Sequence, residues 1–217
     1  CVRWHKEDPW ERIRLARQLM PRTPLGFLTT GLRFVSWDRT PDSVLELAYG
    51  LLLKHGIRRF WIAEPMNDMQ AALRVAQTLR TLGAEDVVVG LVYTASDVHT
   101  DDYYEGKARA LRASPHVDGV YIKDVDGLLT PERARTLVPR VAAAIGELPL
   151  ELHAHCNTGL APLCYLEAVQ LGVRTLHTAV SPLANGTSQP STENTLRNVR
   201  QLGFAAALDG DALGEMA

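Results

Sequence analysis

Leu150-Glu151-Leu152-His153-Ala154-His155-Cys156-Asn157-Thr158-Gly159 reads as a strand running into a turn. Successive side chains of a strand point to opposite faces, so His153 and His155, two positions apart, share one. The turn formers that follow put the pair at the C-terminal end of its strand, where parallel α/β folds keep their chemistry. Two imidazoles on one face at that address suit a metal site. A pair of histidines satisfied by hydrogen bonds in a polar barrel mouth would leave the same pattern.

Outward from this stretch one unit recurs: a short apolar strand, a polar or Gly-containing loop, an amphipathic helix, then glycine. Strands are expected at Leu25 to Thr30, Arg58 to Ala63, Val87 to Tyr93, Gly119 to Lys123, Leu150 to His155 and Thr175 to Ala179. Each is short and apolar enough to be buried in a sheet. The first helix runs from Asp8 and Pro9 to about Met20, and later ones start at Thr40 before Pro41, at Asn67 or Asp68, at Thr100, at Thr130 before Pro131, and at Ser191 or Thr192. Core faces are expected from Val44, Leu47, Ala48, Leu51 and Leu52, and from Leu163, Leu166, Ala168, Val169 and Leu171. Strands joined through a helix are parallel, because the crossover is too long for a hairpin. No Gly-rich dinucleotide or phosphate-loop fingerprint follows any strand, which disfavours an open doubly wound sheet. Polar residues at the C-termini of several strands favour a (β/α)8 TIM barrel, and the six strands read here leave it short of its first one or two βα units.

At 217 residues with a formal charge of -2, the chain suits one domain spanning 1–217 and offers no basic face for nucleic acid. No apolar run approaches the roughly 20 residues that cross a bilayer. Cys1, Cys156 and Cys164 have no ligand spacing and no signal peptide precedes them, so a reduced, cytoplasmic setting is expected. The chain opens on Cys1 rather than methionine, as an N-terminally truncated piece of something longer would.

Two further stretches carry polar chemistry. Lys123 closes the strand Val120-Tyr121-Ile122, where a lysine can act as a cation, a Schiff-base nucleophile or, once carbamylated, an oxygen ligand to a metal; alternatively it snorkels and pairs with Asp124. Beyond the last strand, Ser181 to Ser191 is dense in hydroxyls and turn formers, and Gly186 lets the backbone bring Thr187 and Ser188 close to a ligand. By composition alone that segment is a loop.

Nearly the whole chain resembles the carboxyltransferase barrel of biotin-dependent enzymes: the oxaloacetate decarboxylase alpha subunit, the transcarboxylase 5S subunit and the C-terminal half of pyruvate carboxylase. The motifs are Glu7-Asp8-Pro9-Trp10-Glu11-Arg12, Ile122-Lys123-Asp124 with Gly127-Leu128-Leu129-Thr130-Pro131, His153-Ala154-His155 with Thr158-Gly159, Ser181-Pro182-Leu183-Ala184 and, most specific, Gly186-Thr187-Ser188-Gln189-Pro190. Lyases and synthases of the hydroxymethylglutaryl and isopropylmalate type share the paired histidines but not the last motif.

The resemblance implies an enzyme that moves a carboxyl group between carboxybiotin and a 2-oxo acid such as pyruvate or oxaloacetate. His153, His155 and a carbamylated Lys123 match the positions that hold a divalent metal (Zn, Mn or Co), which stabilises the enolate. Thr187 matches the threonine that relays a proton between the biotin nitrogen and the substrate methyl. No biotinyl-lysine motif occurs, so the biotin carrier would be a separate domain or subunit. In the family, a strand that would lie before Cys1 supplies an aspartate ligand and a glutamine. An arginine that clamps the pyruvate carboxylate is replaced here by Thr29-Thr30-Gly31, with Arg33 three residues beyond Thr30, and Glu64 stands for the usual aspartate. A threonine hydroxyl does not replace a bidentate guanidinium.

Two other readings fit: a diverged or truncated non-catalytic partner subunit, and a metal-dependent aldolase or lyase using the same histidines. A barrel missing its first strands would also expose the edge of Leu25 to Thr30, so a homo-oligomer is expected.

Overall fold

A computed structural model describes residues 2–33, 35 and 37–216. They form two compact units, one of the described residues up to 90 with 114–118 and the other of residues 91–113 with 119–216.

The first unit holds helices α1 (Val2–His5) and α2 (Pro9–Leu19), strand β1 (Leu25–Thr29), α3 (Asp42–His55), β2 (Ile57–Ile62) and α4 (Met69–Thr81), and the start of β3 (Asp86–Val92). Its strands are parallel, with Phe27 beside Phe60 and Phe60 beside Val87. Gly26 is obligatory at this register, because a Cβ there would meet the Trp61 ring at 2.1 Å. Tyr49, Phe60, Ile62, Ala72, Leu79 and Val87 are fully buried in the core.

The face of α3 that turns inward matches the expected one at Leu52 and departs from it elsewhere. Leu45, Tyr49, Leu52 and Leu53 are buried, whereas Val44 and Leu47 are 41% and 64% exposed. Tyr49 decides this: its ring meets Phe60 edge-on at 6.0 Å and its hydroxyl bonds the end of β1, and together these outweigh the rival aliphatic stripe. Thr40 is not a cap either. Helix α3 begins at Asp42 with Pro41 as the flanking residue, and the buried Thr40 hydroxyl has no partner among the described residues.

The second unit holds the end of β3, α5 (Asp101–Arg112), β4 (Gly119–Asp124), α6 (Pro131–Ile145), β5 (Leu150–Ala154), α7 (Ala161–Gln170), β6 (Thr175–Leu176), α8 (Thr192–Gln201) and α9 (Gly210–Met216). The hydroxyls of Thr100, Thr130 and Ser191 cap α5, α6 and α8 by accepting backbone N–H bonds from Tyr103, Arg133 and Asn194. β4 runs parallel to β5 with Lys123 beside His153, and β5 parallel to β6 with Glu151 beside Thr175. One face of these strands is apolar, β5 packs on α7, and α7 packs on α6, with Leu137, Val141, Cys164 and Tyr165 buried. In α7, Ala168 and Val169 are buried as expected, whereas Leu163 is exposed and Cys164 and Tyr165 are buried in its place.

β6 stops at Leu176, short of the expected Ala179. Past that point the backbone turns to another partner: Ala179 donates to Pro190 O and accepts from Thr192 N, making a lone parallel bridge with Ser191. The His177 N–H still reaches Leu152 O at 2.9 Å, so residue 177 stays beside β5.

Candidate active site

Strand alternation together with the parallel register puts Tyr121, Lys123, Glu151, His153, His155 and Thr175 on one face of the second unit. His177 joins them from the end of β6. Sequence reading singled out three of these, Lys123, His153 and His155. It passed over Glu151 and His177, although the alternation that pairs the two histidines extends backward to Glu151.

The imidazoles are linked by hydrogen bonds. His155 Nδ1 lies 2.7 Å from the carbonyl oxygen of Thr187, which can only accept, so Nδ1–H donates. His153 Nδ1 lies 3.0 Å from His177 Nδ1, and His177 Nε2–H donates to the Glu151 carboxylate at 2.8 Å. Gln189 Nε2 lies 3.3 Å from His153 Nε2, and Nε2 of His153 and Nε2 of His155 are 3.1 Å apart.

Burial, with His177, Lys123 and His155 nearby, pushes the His153 pKa down to about 3. Near neutral pH that ring is therefore uncharged. Burial likewise lowers the pKa of Lys123, whose ammonium has no hydrogen bond or ion pair among the described residues. Pairing of Lys123 with Asp124 is ruled out by strand alternation: Asp124 faces the other way and accepts from the backbone N–H groups of Leu128 and Leu129 at 3.0 and 2.8 Å. Burial still leaves the Asp124 pKa raised, because it outweighs these bonds.

Thr187 comes to the site by its backbone. The Cys156 N–H donates to Ser188 O at 2.8 Å, and Asn185 N–H donates to Gln189 O at 2.8 Å, which folds the 181–191 loop over the end of β5. The Thr187 side chain is left exposed. In the first unit the substituted positions are bound up locally. Thr29 is buried and its hydroxyl bonds Tyr49 and accepts from Gly31 N, while the Arg33 guanidinium donates to Trp37 O. Glu64 accepts from the backbone N–H groups of Met66 and Asp68, so it braces its own loop.

A divalent metal fits the histidine pair. Bonds of about 2.0–2.1 Å at angles from a right angle to tetrahedral put two ligand nitrogens about 2.9–3.4 Å apart, and the observed separation falls in that range. His155 Nδ1–H is held by the Thr187 carbonyl, as the outer partner of a metal-binding histidine would be. Among the described residues, no group of three His, Cys, Asp or Glu side chains is arranged to hold a metal, so the pair needs a ligand of another kind.

The resemblance seen in the sequence extends along the whole chain. No family model matches it. A pyruvate carboxylase subunit of Methanocaldococcus jannaschii is 37% identical over 216 residues, covering 100% of this chain and 38% of that protein. The 2-oxoglutarate carboxylase large subunit of Hydrogenobacter thermophilus is 32% identical over 219 residues, covering 100% of this chain and 33% of that protein. The carboxyl transferase domain of Rhizobium etli pyruvate carboxylase, solved with pyruvate, superposes with a TM-score of 0.93 at 25% identity over 99% of this chain and 37% of that one. Along its whole length the chain is similar to these carboxylase subunits and to that carboxyl transferase domain, and its fold is α/β with six parallel strands, like the matching part of that domain. It spans a little over a third of the length of those relatives. No helix among the described residues is long and apolar enough to cross a membrane.

Proposed function

We propose that this chain is the carboxyltransferase part of a biotin-dependent enzyme, moving a carboxyl group between carboxybiotin on a separate carrier domain or subunit and a small 2-oxo acid. The observation that carries this reading is the approach of His153 Nε2 and His155 Nε2 to 3.1 Å, a separation that two ligands of one divalent ion would have. His153, His155 and a carbamylated Lys123 would hold a divalent metal, Zn, Mn or Co. Such an ion supplies Lewis-acid stabilisation of the negative charge that builds on the 2-oxo oxygen as the substrate's methyl proton leaves.

The chain's own residues do the rest. Burial of Lys123 lowers its pKa and so favours the neutral amine that carbamylation by CO2 requires. Thr187 keeps its hydroxyl exposed while its carbonyl orients His155, and that hydroxyl relays the proton between the methyl carbon and the biotin nitrogen. A hydroxyl relays rather than stores a proton, because its pKa is too high for it to remain ionised.

The substrate is pyruvate or a close 2-oxo acid whose carboxylate is held otherwise than by an arginine at position 30. The relatives bear on this choice, since one is named for pyruvate and another for 2-oxoglutarate. Residues 1–217 are read as one carboxyltransferase domain that works as a homo-oligomer in the cytoplasm, a setting that suits the unpaired thiols of Cys156 and Cys164. The carboxylase names of the relatives do not favour a lyase or an inert partner.

The deciding experiment is carboxyl exchange between carboxybiotin and each 2-oxo acid, run alongside metal analysis. Thr187→Ala should keep its metal and lose exchange by at least about 100-fold, the lower end of a general acid–base contribution. Exchange near the wild-type rate in that variant would remove Thr187 from the reaction.

A further inference from the structure

Directly behind His153 lies a pair, the buried Glu151 and the half-buried His177, that no metal ligation requires. Glu151 is 1% exposed, and removing a carboxylate from water is costly unless its acceptors are used. It accepts from His177 Nε2–H at 2.8 Å, and His177 Nδ1 in turn lies 3.0 Å from His153 Nδ1, so a neutral His177 offers that nitrogen as an acceptor. Tyr121 closes the pocket, its ring 5.5 Å from that of His177 and 6.4 Å from that of His153. The Tyr165 hydroxyl donates to the His177 carbonyl and also reaches the Ala154 backbone, so residue 177 is held to β5 on both its backbone and its side chain.

We propose that Glu151 and His177 are positioning residues that hold His153 in the tautomer with hydrogen on Nδ1, keeping its Nε2 free to bind a divalent cation. A neutral imidazole has one donor and one acceptor nitrogen, so a carboxylate at the far end of a two-ring chain sets the direction of every bond in it. Without that anchor His177 can reverse, the hydrogen of His153 can move to Nε2, and the site loses a ligand with no change in fold. The purpose of the device rests on the metal reading above; the tautomer itself does not.

The test uses the full chain with 15N-labelled histidine, freed of metal by chelation, at one fixed pH. Long-range proton–nitrogen correlation shows which nitrogen of His153 carries the hydrogen, and His153→Gln assigns the signal. Wild type is expected to show Nδ1–H. His177→Phe, which keeps a ring but removes the acceptor, should convert His153 wholly or partly to Nε2–H and weaken Zn2+ binding by about 10–100-fold in a competition titration. Glu151→Leu should do the same, and it carries the test if His177→Phe does not fold. Glu151→Gln retains an acceptor oxygen and should stay close to wild type in both measurements. Nε2–H on His153 in the wild type would overturn the inference, as would variants that keep the tautomer or that change it without changing Zn2+ affinity. If the wild-type chain bound no Zn2+, the metal reading would fall, and the tautomer pattern in metal-free protein would still decide whether the pair directs His153.

Discussion

The strand ends of the two units carry similar polar residues and use them in opposite ways. At the ends of β1 and β2, Thr29 and Glu64 spend their hydrogen bonds on nearby groups: Thr29 with Tyr49 and Gly31, Glu64 with the N–H groups of Met66 and Asp68. At the ends of β4 and β5, Lys123 has no hydrogen bond or ion pair among the described residues, and the two imidazoles bring their Nε2 atoms to 3.1 Å from each other. The contrast is repeated within β4, where Asp124 is consumed by its own loop and its neighbour Lys123 is not. A strand's C-terminal end is therefore only an address. What marks a group for chemistry there is that the fold positions it and leaves it unsatisfied.

Breaking the unsatisfied side of this comparison should have the largest effect. His153→Ala and His155→Ala should each lower metal affinity by more than about 100-fold, since even an outer partner of a ligand is worth about 10–100-fold. Unchanged metal stoichiometry in both variants would refute the ligand assignment. Asp124→Ala should instead act on the fold, costing about 1–3 kcal/mol because it strands the buried backbone N–H of Leu129 and frees that of Leu128, as read by urea denaturation. Glu64→Ala should cost about 1–3 kcal/mol by the same measurement and leave metal content as it was; a loss of metal would mean that the first unit's polar ends are not merely structural. Leu47→Lys sharpens the comparison at its lower limit: on the exposed face of α3 it should change stability by less than about 0.5 kcal/mol. A larger cost would mean that this face is covered in the working protein.

Much of the fold could be read from the sequence because its signals were redundant. Asp68, Thr100, Thr130 and Ser191 cap helices where a polar residue precedes a helical run, and five of the six expected strands lie within one residue of their observed bounds at each end. Errors arose where two signals competed. In α3 two apolar stripes lie side by side, and only the reach of Tyr49 to Thr29 and Gly31 chooses between them. Thr40 before Pro41 mimics a cap, yet the helix starts one residue later than that pattern allows.

The site was legible in its near half. Spacing alone gave the shared face of His153 and His155, and position gave Lys123. His177 could not be reached that way, because its link to Glu151 spans 26 residues and depends on the parallel register of β5 and β6. Glu151 could have been found, since it extends the same alternation by one step. The role of the Thr187 carbonyl, as distinct from its hydroxyl, is invisible to any motif, because every residue has a carbonyl.

The loops that follow β4 and β5 are fastened together. Asn157 donates to Val125 O, Thr158 donates to Gly127 O, and Gly127 leaves no room for a side chain, since a Cβ there would sit 2.8 Å from His155 O. An engineer hoping to retune the specificity of this protein by grafting would have to transplant both segments as one cassette. Exchanging either alone would tear stitches on the other side and displace the histidine whose carbonyl Gly127 abuts.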